Sequence, residues 1–295
     1  MVKFVAEVSS NHNQDVQRCL QFVDVAAAIG CDAVKLQLFK IDQMYAPEVL
    51  ELLPWLAARR QWELPAFYLP AIAKRCEQRN IELACTPFYL EAVDELLPYV
   101  DWYKIASYEL PWTAMLQRCA QTGKPVVLST GMATAKEIEQ ARRVLRTNGC
   151  TNLTLLHCTS AYPAPVNECN LNVLDLLNYF DDVKVGWSDH TGNAGVIYRA
   201  VHYYNVKMIE FHLDLDATGA EYKIGHCWLP DGAATMIRNV RDGFIADGKE
   251  ISWRAKQPTP TEQAEVLWRH DPTDGLRPFK SERTREKILA RQQQS

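Results

Sequence analysis

Eight short apolar runs in this chain each end in polar residues able to do chemistry. Glu7 closes the first, followed by Ser-Ser-Asn-His-Asn. The second carries Lys35 and Gln37, the third ends at Thr86, and the fourth gives Lys104 and Ser107. Ser129-Thr130-Gly131 follows the fifth, and His157-Cys158-Thr159-Ser160-Ala161-Tyr162 closes the sixth. The last two end in Ser188-Asp189-His190-Thr191 and Glu210-Phe211-His212. Two lysines with several hydroxyls make a basket for a phosphate and a carboxylate. Two histidines on neighbouring runs can hold a divalent metal and leave positions open to water or substrate. Two carboxylates, Glu7 and Glu210, remain for proton transfer. The set suits a small, doubly anionic substrate together with an electrophile activated by a metal.

Each residue also has a plain reading. A lysine in a strand can reach the surface, a strand-end Ser or Thr can cap the next helix, and either glutamate can form a structural ion pair with a barrel lysine. His157 is read as a hydrogen-bonded core histidine. What favours function is convergence, which depends on the elements that carry the residues. The runs are Lys3–Ala6, Ala33–Leu38, Ile81–Cys85, Trp102–Ile105, Pro125–Leu128, Leu153–Leu156, Val183–Trp187 and Val206–Ile209. They recur as successive strand–helix units should. Helical periodicity fills the gaps: Val16, Leu20, Val23 and Ala27 line a first helix, and Met236, Ile237, Val240 and Phe244 a last one. Thr134 and Glu137 form a capping box before Ile138. The longer gap after the second run predicts a loop with an extra helix over Tyr45–Trp62. Eight such units predict a (β/α)8 barrel, whose working residues lie at the C-terminal ends of its strands. An open dinucleotide-binding sheet lacks support, because no GxGxxG follows the first run.

A length of 295 residues suits one such barrel. The net charge of −4 makes no case for nucleic acid or anionic membrane, so an anionic substrate must be held by a few placed cations. Met1 leads directly into the first run with no cleavable signal, and no apolar run approaches a membrane span. Nine scattered cysteines without a CxxC pair read as reduced thiols, so a cytoplasmic location is expected. The barrel is expected over residues 1–250. Residues 251–295, with the linker-like Lys256–Glu262 and a polar, basic end, are expected to be a tail with disordered last residues rather than a second domain.

The stretches Ala6–Asn13 (AEVSSNHN), Asp32–Gln37 (DAVKLQ), Thr86–Phe88 (TPF), Tyr103–Ser107 (YKIAS), Leu128–Met132 (LSTGM), Leu155–Pro163 (LLHCTSAYP), Gly186–Thr191 (GWSDHT) and Ile209–His212 (IEFH) resemble the sialic acid (N-acetylneuraminate) synthase family. They occur in the family's order over nearly the whole barrel. The resemblance implies a (β/α)8 barrel that condenses phosphoenolpyruvate with an N-acylated amino sugar, as a homodimer requiring a divalent metal, typically manganese, with magnesium or cobalt as alternatives. It implies that Lys35, Thr86, Lys104, Ser107, Ser129, Ser160 and Ser188 hold phosphoenolpyruvate and that His190 and His212 bind the metal. Glu7 and Glu210 would manage protons and the attacking water, and Gln37 and Tyr162 would face the acceptor sugar.

Three departures from the family bear on the acceptor. Phe211 stands where a basic residue is common. The usual GPD after the eighth strand is replaced near Lys223-Ile224-Gly225-His226, with Glu221 as a candidate substitute for its Asp. The family's C-terminal antifreeze-like domain is expected to be missing, since residues 251–295 read as a tail. An acceptor other than N-acetylmannosamine is therefore expected. Two rival readings are a class I aldolase, with Lys35 or Lys104 forming a Schiff base, and a non-catalytic sugar-phosphate-binding subunit.

Overall fold

The structure is a computed structural model that describes residues 2–247 and 257–292. Eight parallel strands close into a barrel in sequence order. They are β1 (Lys3–Glu7), β2 (Ala33–Leu38), β3 (Glu82–Pro87), β4 (Trp102–Ile105), β5 (Val126–Ser129), β6 (Leu153–His157), β7 (Lys184–Asp189) and β8 (Met208–His212). The (β/α)8 class read from the sequence is the observed one. β8 starts two residues later than its apolar run, because Val206 and Lys207 still belong to the turn that enters it.

Strand alternation sorts the side chains into two layers inside the barrel. Val5, Ala33, Ala84, Trp102, Val127, Leu156 and Met208 form a buried apolar plug. Two residues further along the same strands stand Glu7, Lys35, Thr86, Lys104, Ser129, Cys158 and Glu210. The polar layer thus rests on an apolar floor, and both belong to one face of each strand. The intervening residues, among them Phe4, Leu36, Tyr103, Leu128, Trp187 and Phe211, join the larger core between barrel and helices. On β7 the plug position is Gly186, where a Cβ would lie 2.4 Å from Leu156 Cδ2 and 2.6 Å from the Met208 carbonyl.

A helix follows each strand: α1 (Val16–Ile29), α2 (Leu69–Arg79), α3 (Leu90–Leu96), α4 (Thr113–Gln121), α5 (Ala135–Thr147), α6 (Val173–Leu177), α7 (Ala194–His202) and α8 (Pro230–Ala246). The Thr134–Glu137 capping box opens α5 as expected. The buried face of α1 is centred on Cys19, Phe22, Val23 and Ala26 rather than on Val16, Leu20, Val23 and Ala27. Phe22 supplies the bulk that faces the barrel, and Arg18 is drawn inward by two aspartates. The single extra helix expected over Tyr45–Trp62 is instead a series of short turns, Ile41–Met44, Pro47–Leu52, Pro54–Ala57 and Ala58–Trp62. Pro47 and Pro54 each begin a new turn and cannot continue the previous one. Phe244, expected on the buried face of α8, is 36% exposed.

The chain divides into two compact units, Met1–Ile245 and Ala246–Ser295. In the second, Thr259 and Glu262 form a capping box ahead of the helix Gln263–Val266. Asp271 there accepts hydrogen bonds from Thr273 N and Lys280 N, and Arg285–Gln292 is helical. Lys256 and the last residues, where disorder was expected, lie outside the described residues. All nine cysteines are free, eight of them buried. Among the described residues no helix is long and apolar enough to cross a membrane.

Arg18 fastens the loop after β1 to the loop after β8. Its guanidinium donates to the Asn11 carbonyl at 2.7 Å, to Asp214 at 2.7 Å and to Asp216 at 2.9 and 3.0 Å. The Asp214 side chain is fully buried, so removing its cation leaves an unpaired buried charge. Arg18→Met is expected to lower unfolding free energy by about 3–5 kcal/mol, measured by urea denaturation. A loss below about 1 kcal/mol would mean that the loops are held together by other contacts.

Candidate active site

Twelve of the thirteen residues singled out in the sequence line one cavity at the C-terminal mouth of the barrel: Glu7, Lys35, Gln37, Thr86, Lys104, Ser107, Ser129, Tyr162, Ser188, His190, Glu210 and His212. Ala106, Tyr108 and Cys158 complete the lining. Ser160 is the thirteenth. It stands half-buried behind Gly131, where an added Cβ would meet Ser160 Oγ at 2.3 Å, Ser107 Oγ at 2.8 Å and Cys158 Sγ at 2.9 Å. Only a glycine lets these three groups converge, and the Gly131 amide donates to Ser107 Oγ at 3.1 Å.

Four charged side chains meet at the floor of the cavity, each no more than 3% exposed. Lys35 Nζ lies 2.5 Å from Glu7 Oε2 and 3.9 Å from Glu210 Oε1. Lys104 Nζ lies 3.2 Å from the same Glu210 oxygen. Gln37 donates to Glu7 Oε1 at 2.7 Å, Ser188 to Glu210 Oε1 at 3.1 Å, and Lys35 to Thr86 Oγ1 at 3.3 Å. Burial alone would raise the Glu210 carboxyl, but the charges of Lys104 and Lys35 outweigh it and hold Glu210 well below the usual carboxylate range. Burial would likewise lower Lys35, yet Glu210 and Glu7 together raise it. A Schiff-base lysine must be available unprotonated, and this one is held charged. The aldolase alternative therefore loses Lys35, one of its two candidate nucleophiles.

His190 and His212 stand with ring centroids 5.4 Å apart, and Tyr162 lies against both, at 4.3 and 5.8 Å. His190 Nδ1 donates to the Thr159 carbonyl at 2.7 Å, and His212 Nδ1 is 3.1 Å from Glu221 Oε2. With Nδ1 committed in both rings, Nε2 is the nitrogen left to ligate, the arrangement that orients metal-binding histidines elsewhere. The donor pair thus fits a divalent cation. His157 is a core histidine, bonded to the Cys169 carbonyl at 2.9 Å and packed on Trp187. Phe211 points away from the cavity into the outer core, so the departure from a basic residue there leaves the cavity wall untouched.

Glu221, a candidate acceptor carboxylate from the sequence, instead joins Asn11 and His226, to which no motif assigns a role, in a wall beside His212. Glu221 accepts from Ser9 Oγ at 2.5 Å through one oxygen and meets His212 and His226 through the other, at 3.1 and 3.7 Å. Asn11 holds it from behind by accepting its amide at 2.8 Å. The run Ser9-Ser10-Asn11-His12, buried though polar, was the signal that could have drawn attention to this wall.

The two cavity histidines differ electrostatically. Burial pushes His190 down to about 3, reinforced by the charge of His212. Burial also opposes the His212 cation, but the hydrogen bond and charge of Glu221 prevail and raise it. In the metal-free protein His190 should show no protonation between pH 8 and 5, while His212 should gain its proton above the ordinary 6.5. Histidine-labelled NMR titration measures both. His190 titrating near 6.5 would show that its ring is open to water. The same shift has a linkage sign. A depressed histidine stabilises the fold above the unfolded value of about 6.5, and its contribution falls as pH drops from there towards 3.

Comparison with known proteins agrees with this geometry. Residues 22–252 match the NeuB family. N,N'-diacetyllegionaminic acid synthase of Campylobacter jejuni is 36% identical over 238 residues, 74% of this chain and 70% of that protein. Pseudaminic acid synthase of Helicobacter pylori is 29% identical over 262 residues, 84% and 76% of the two chains. Among solved structures, the N-acetylneuraminic acid synthetase of Leptospira borgpetersenii superposes with a TM-score of 0.77 at 26% identity, covering 90% of each chain. A polar layer of paired lysines and glutamates on the floor of a closed barrel, with these matches along its length, places the chain in the NeuB family.

Proposed function

We propose that this enzyme condenses phosphoenolpyruvate with the aldehyde carbon of an N-acylated amino sugar, giving a 2-keto-3-deoxy sugar acid and inorganic phosphate. The observation that carries the reading is the convergence of Lys35 and Lys104, both buried and both within 4 Å of Glu210, on the cavity that the hydroxyls of Thr86, Ser107, Ser129 and Ser188 also line. The legionaminic and pseudaminic acid synthases above are condensing enzymes of the same family, which supports a nonulosonate-type product.

The chemistry follows from the substrate. C3 of an enol phosphate is a carbon nucleophile, and its attack on the aldehyde forms a C–C bond and leaves positive character at C2. Water adds at C2, and the tetrahedral product loses phosphate by C–O cleavage. Lys35 and Lys104 offset the phosphate and carboxylate charges and fix which face of the enol meets the aldehyde. Glu210, held ionised by those lysines, is suited to offset the cation at C2 and orient water. It is not suited to donate a proton. Glu7, fixed by Gln37 and Lys35, is assigned to take the proton that the water gives up. His190 and His212 would hold a divalent cation, which would supply Lewis-acid polarisation of the aldehyde oxygen. Gln37 and Tyr162 line the same cavity and are assigned to the acceptor. Glu221 already serves Ser9, His212 and His226.

The test is acceptor-dependent phosphate release from phosphoenolpyruvate across a panel of aldoses and N-acyl amino sugars, with mass detection of the product. Lys35→Met and Lys104→Met should each weaken phosphoenolpyruvate binding by about 1.5–3 kcal/mol, on the order of 10- to 100-fold, with the far-ultraviolet circular dichroism of the barrel retained. Phosphate release that ignores the acceptor, or unchanged affinity in both variants, would overturn the reading.

A further inference from the structure

Beside His212, on its Nδ1 edge, four potential metal donors come together. Among the described residues, His212, Glu221, His226 and Cys227 are a group of metal-ligating types whose donor atoms all lie within 4.8 Å of one another. Three of the separations are explicit. His212 Nδ1 is 3.1 Å and His226 Nε2 3.7 Å from Glu221 Oε2, and Cys227 Sγ is 3.9 Å from His226 Nε2. A tetrahedral ion with nitrogen and oxygen donors at about 2.1 Å and a thiolate at about 2.3 Å has donor–donor edges of roughly 3.4–3.6 Å. The separations, from 3.1 to 3.9 Å, bracket that range, so small side-chain movements would bring the four donors around one ion.

The chain is built to keep them there. The loop after β8 doubles back, with Trp228 N donating to the His212 carbonyl at 2.8 Å and Asp214 N to the Trp228 carbonyl at 2.9 Å. Gly225, in the left-handed region at φ +99°, makes the turn that returns His226 and Cys227 to the strand. Outer contacts orient the donors as they do around bound metals: Ser9 Oγ donates to Glu221 Oε1, and Asn11 Nδ2 points at Cys227 Sγ from 3.6 Å. His226 is 1% exposed, yet its Nδ1 has no hydrogen-bond partner.

We propose that His212, Glu221, His226 and Cys227 form a binding site for a thiophilic divalent cation of the zinc class, seated on the Nδ1 edge of His212 and outside the donor pair that His190 and His212 turn to the cavity. A thiolate donor selects zinc, iron or cobalt over magnesium and manganese, whereas a two-imidazole pair does not discriminate in that way. Binding displaces the Cys227 thiol proton to solvent and puts the remaining His212 proton on Nε2. A neutral imidazole has one lone pair to give, so an ion at this site and an ion on the cavity pair compete for His212. The site does not depend on which substrate the cavity takes.

The full chain, stripped with chelator, is titrated with cobalt(II) and followed by its thiolate-to-cobalt charge-transfer absorption, with zinc content measured separately by elemental analysis. The native protein should develop the absorption with one equivalent. Cys227→Ser should abolish it and weaken zinc binding at least ~10-fold. His226→Asn should weaken zinc binding comparably, which guards against a misfolded cysteine variant. His190→Ala should leave both readouts intact. No charge-transfer absorption in the native protein, or its survival in Cys227→Ser, would overturn the proposal. So would its loss in His190→Ala, which would put the ion in the cavity instead. Loss of condensing activity in the lysine variants leaves this outcome unaffected, so the two readings fail separately.

Discussion

Four formal charges buried on the floor of one cavity constrain everything around them. Removing a carboxylate or an ammonium from water costs several kcal/mol per ion unless a partner offsets it, and here each partner is another member of the set. Glu7 answers Lys35, and Glu210 answers Lys104 and stands 3.9 Å from Lys35. That arrangement works only if the strands present these residues at one height, and the register pairs Glu7 with Lys35 and Ser188 with Glu210 across neighbouring strands. The apolar plug beneath excludes water from below. Two lysines against two glutamates leave this group neutral. A multiply charged anion entering it brings charge that the floor alone does not balance. The proposed cation on His190 and His212 would supply that balance, so the metal pair and the lysine pair would be parts of one electrostatic requirement.

Much of this was legible because a barrel strand has two faces and strand position determines which one a residue joins. Lys35 and Gln37 alternate with Leu36 and Leu38, and Glu210 and His212 flank Phe211. A charged residue at period two inside an apolar run has nowhere to go but the barrel interior, and at the C-terminal end of the run that interior is the active-site mouth. The inward assignment therefore followed from pattern alone. The departure at Phe211 proved silent for the same reason, since the odd position faces the helices.

What pattern could not reach lies in loops and in helix rotation. α1 turned out to bury Cys19, Phe22 and Ala26 because Arg18 must reach Asp214 and Asp216, nearly two hundred residues away. Periodicity within α1 carries no trace of that ion pair. The prolines at 47 and 54 broke an apparent helix into turns, although both were visible as breakers. The loop after β8 is the clearest case. Glu221, His226 and Cys227 are ordinary residues in an irregular stretch, and hydrogen bonds to Ser9 and Asn11 near the start of the chain, with backbone bonds back to β8, gather them.

His212 is where the two parts of the structure meet. Its Nε2 edge belongs with His190, while its Nδ1 edge is held by Glu221, which in turn answers His226 and Ser9. A carboxylate on the far side of an imidazole fixes the ring's orientation and makes its other nitrogen a better donor. The donor strength of His212 at the proposed metal pair is therefore set partly by the loop after β8. Arg18 and Asn11 pin that loop to the start of the barrel, so a change at either position acts on the cavity through Glu221 and then through one ring. An ion on the Nδ1 edge would act by the same route in reverse, replacing the Glu221 hydrogen bond and leaving His212 with a proton where the cavity needs a lone pair.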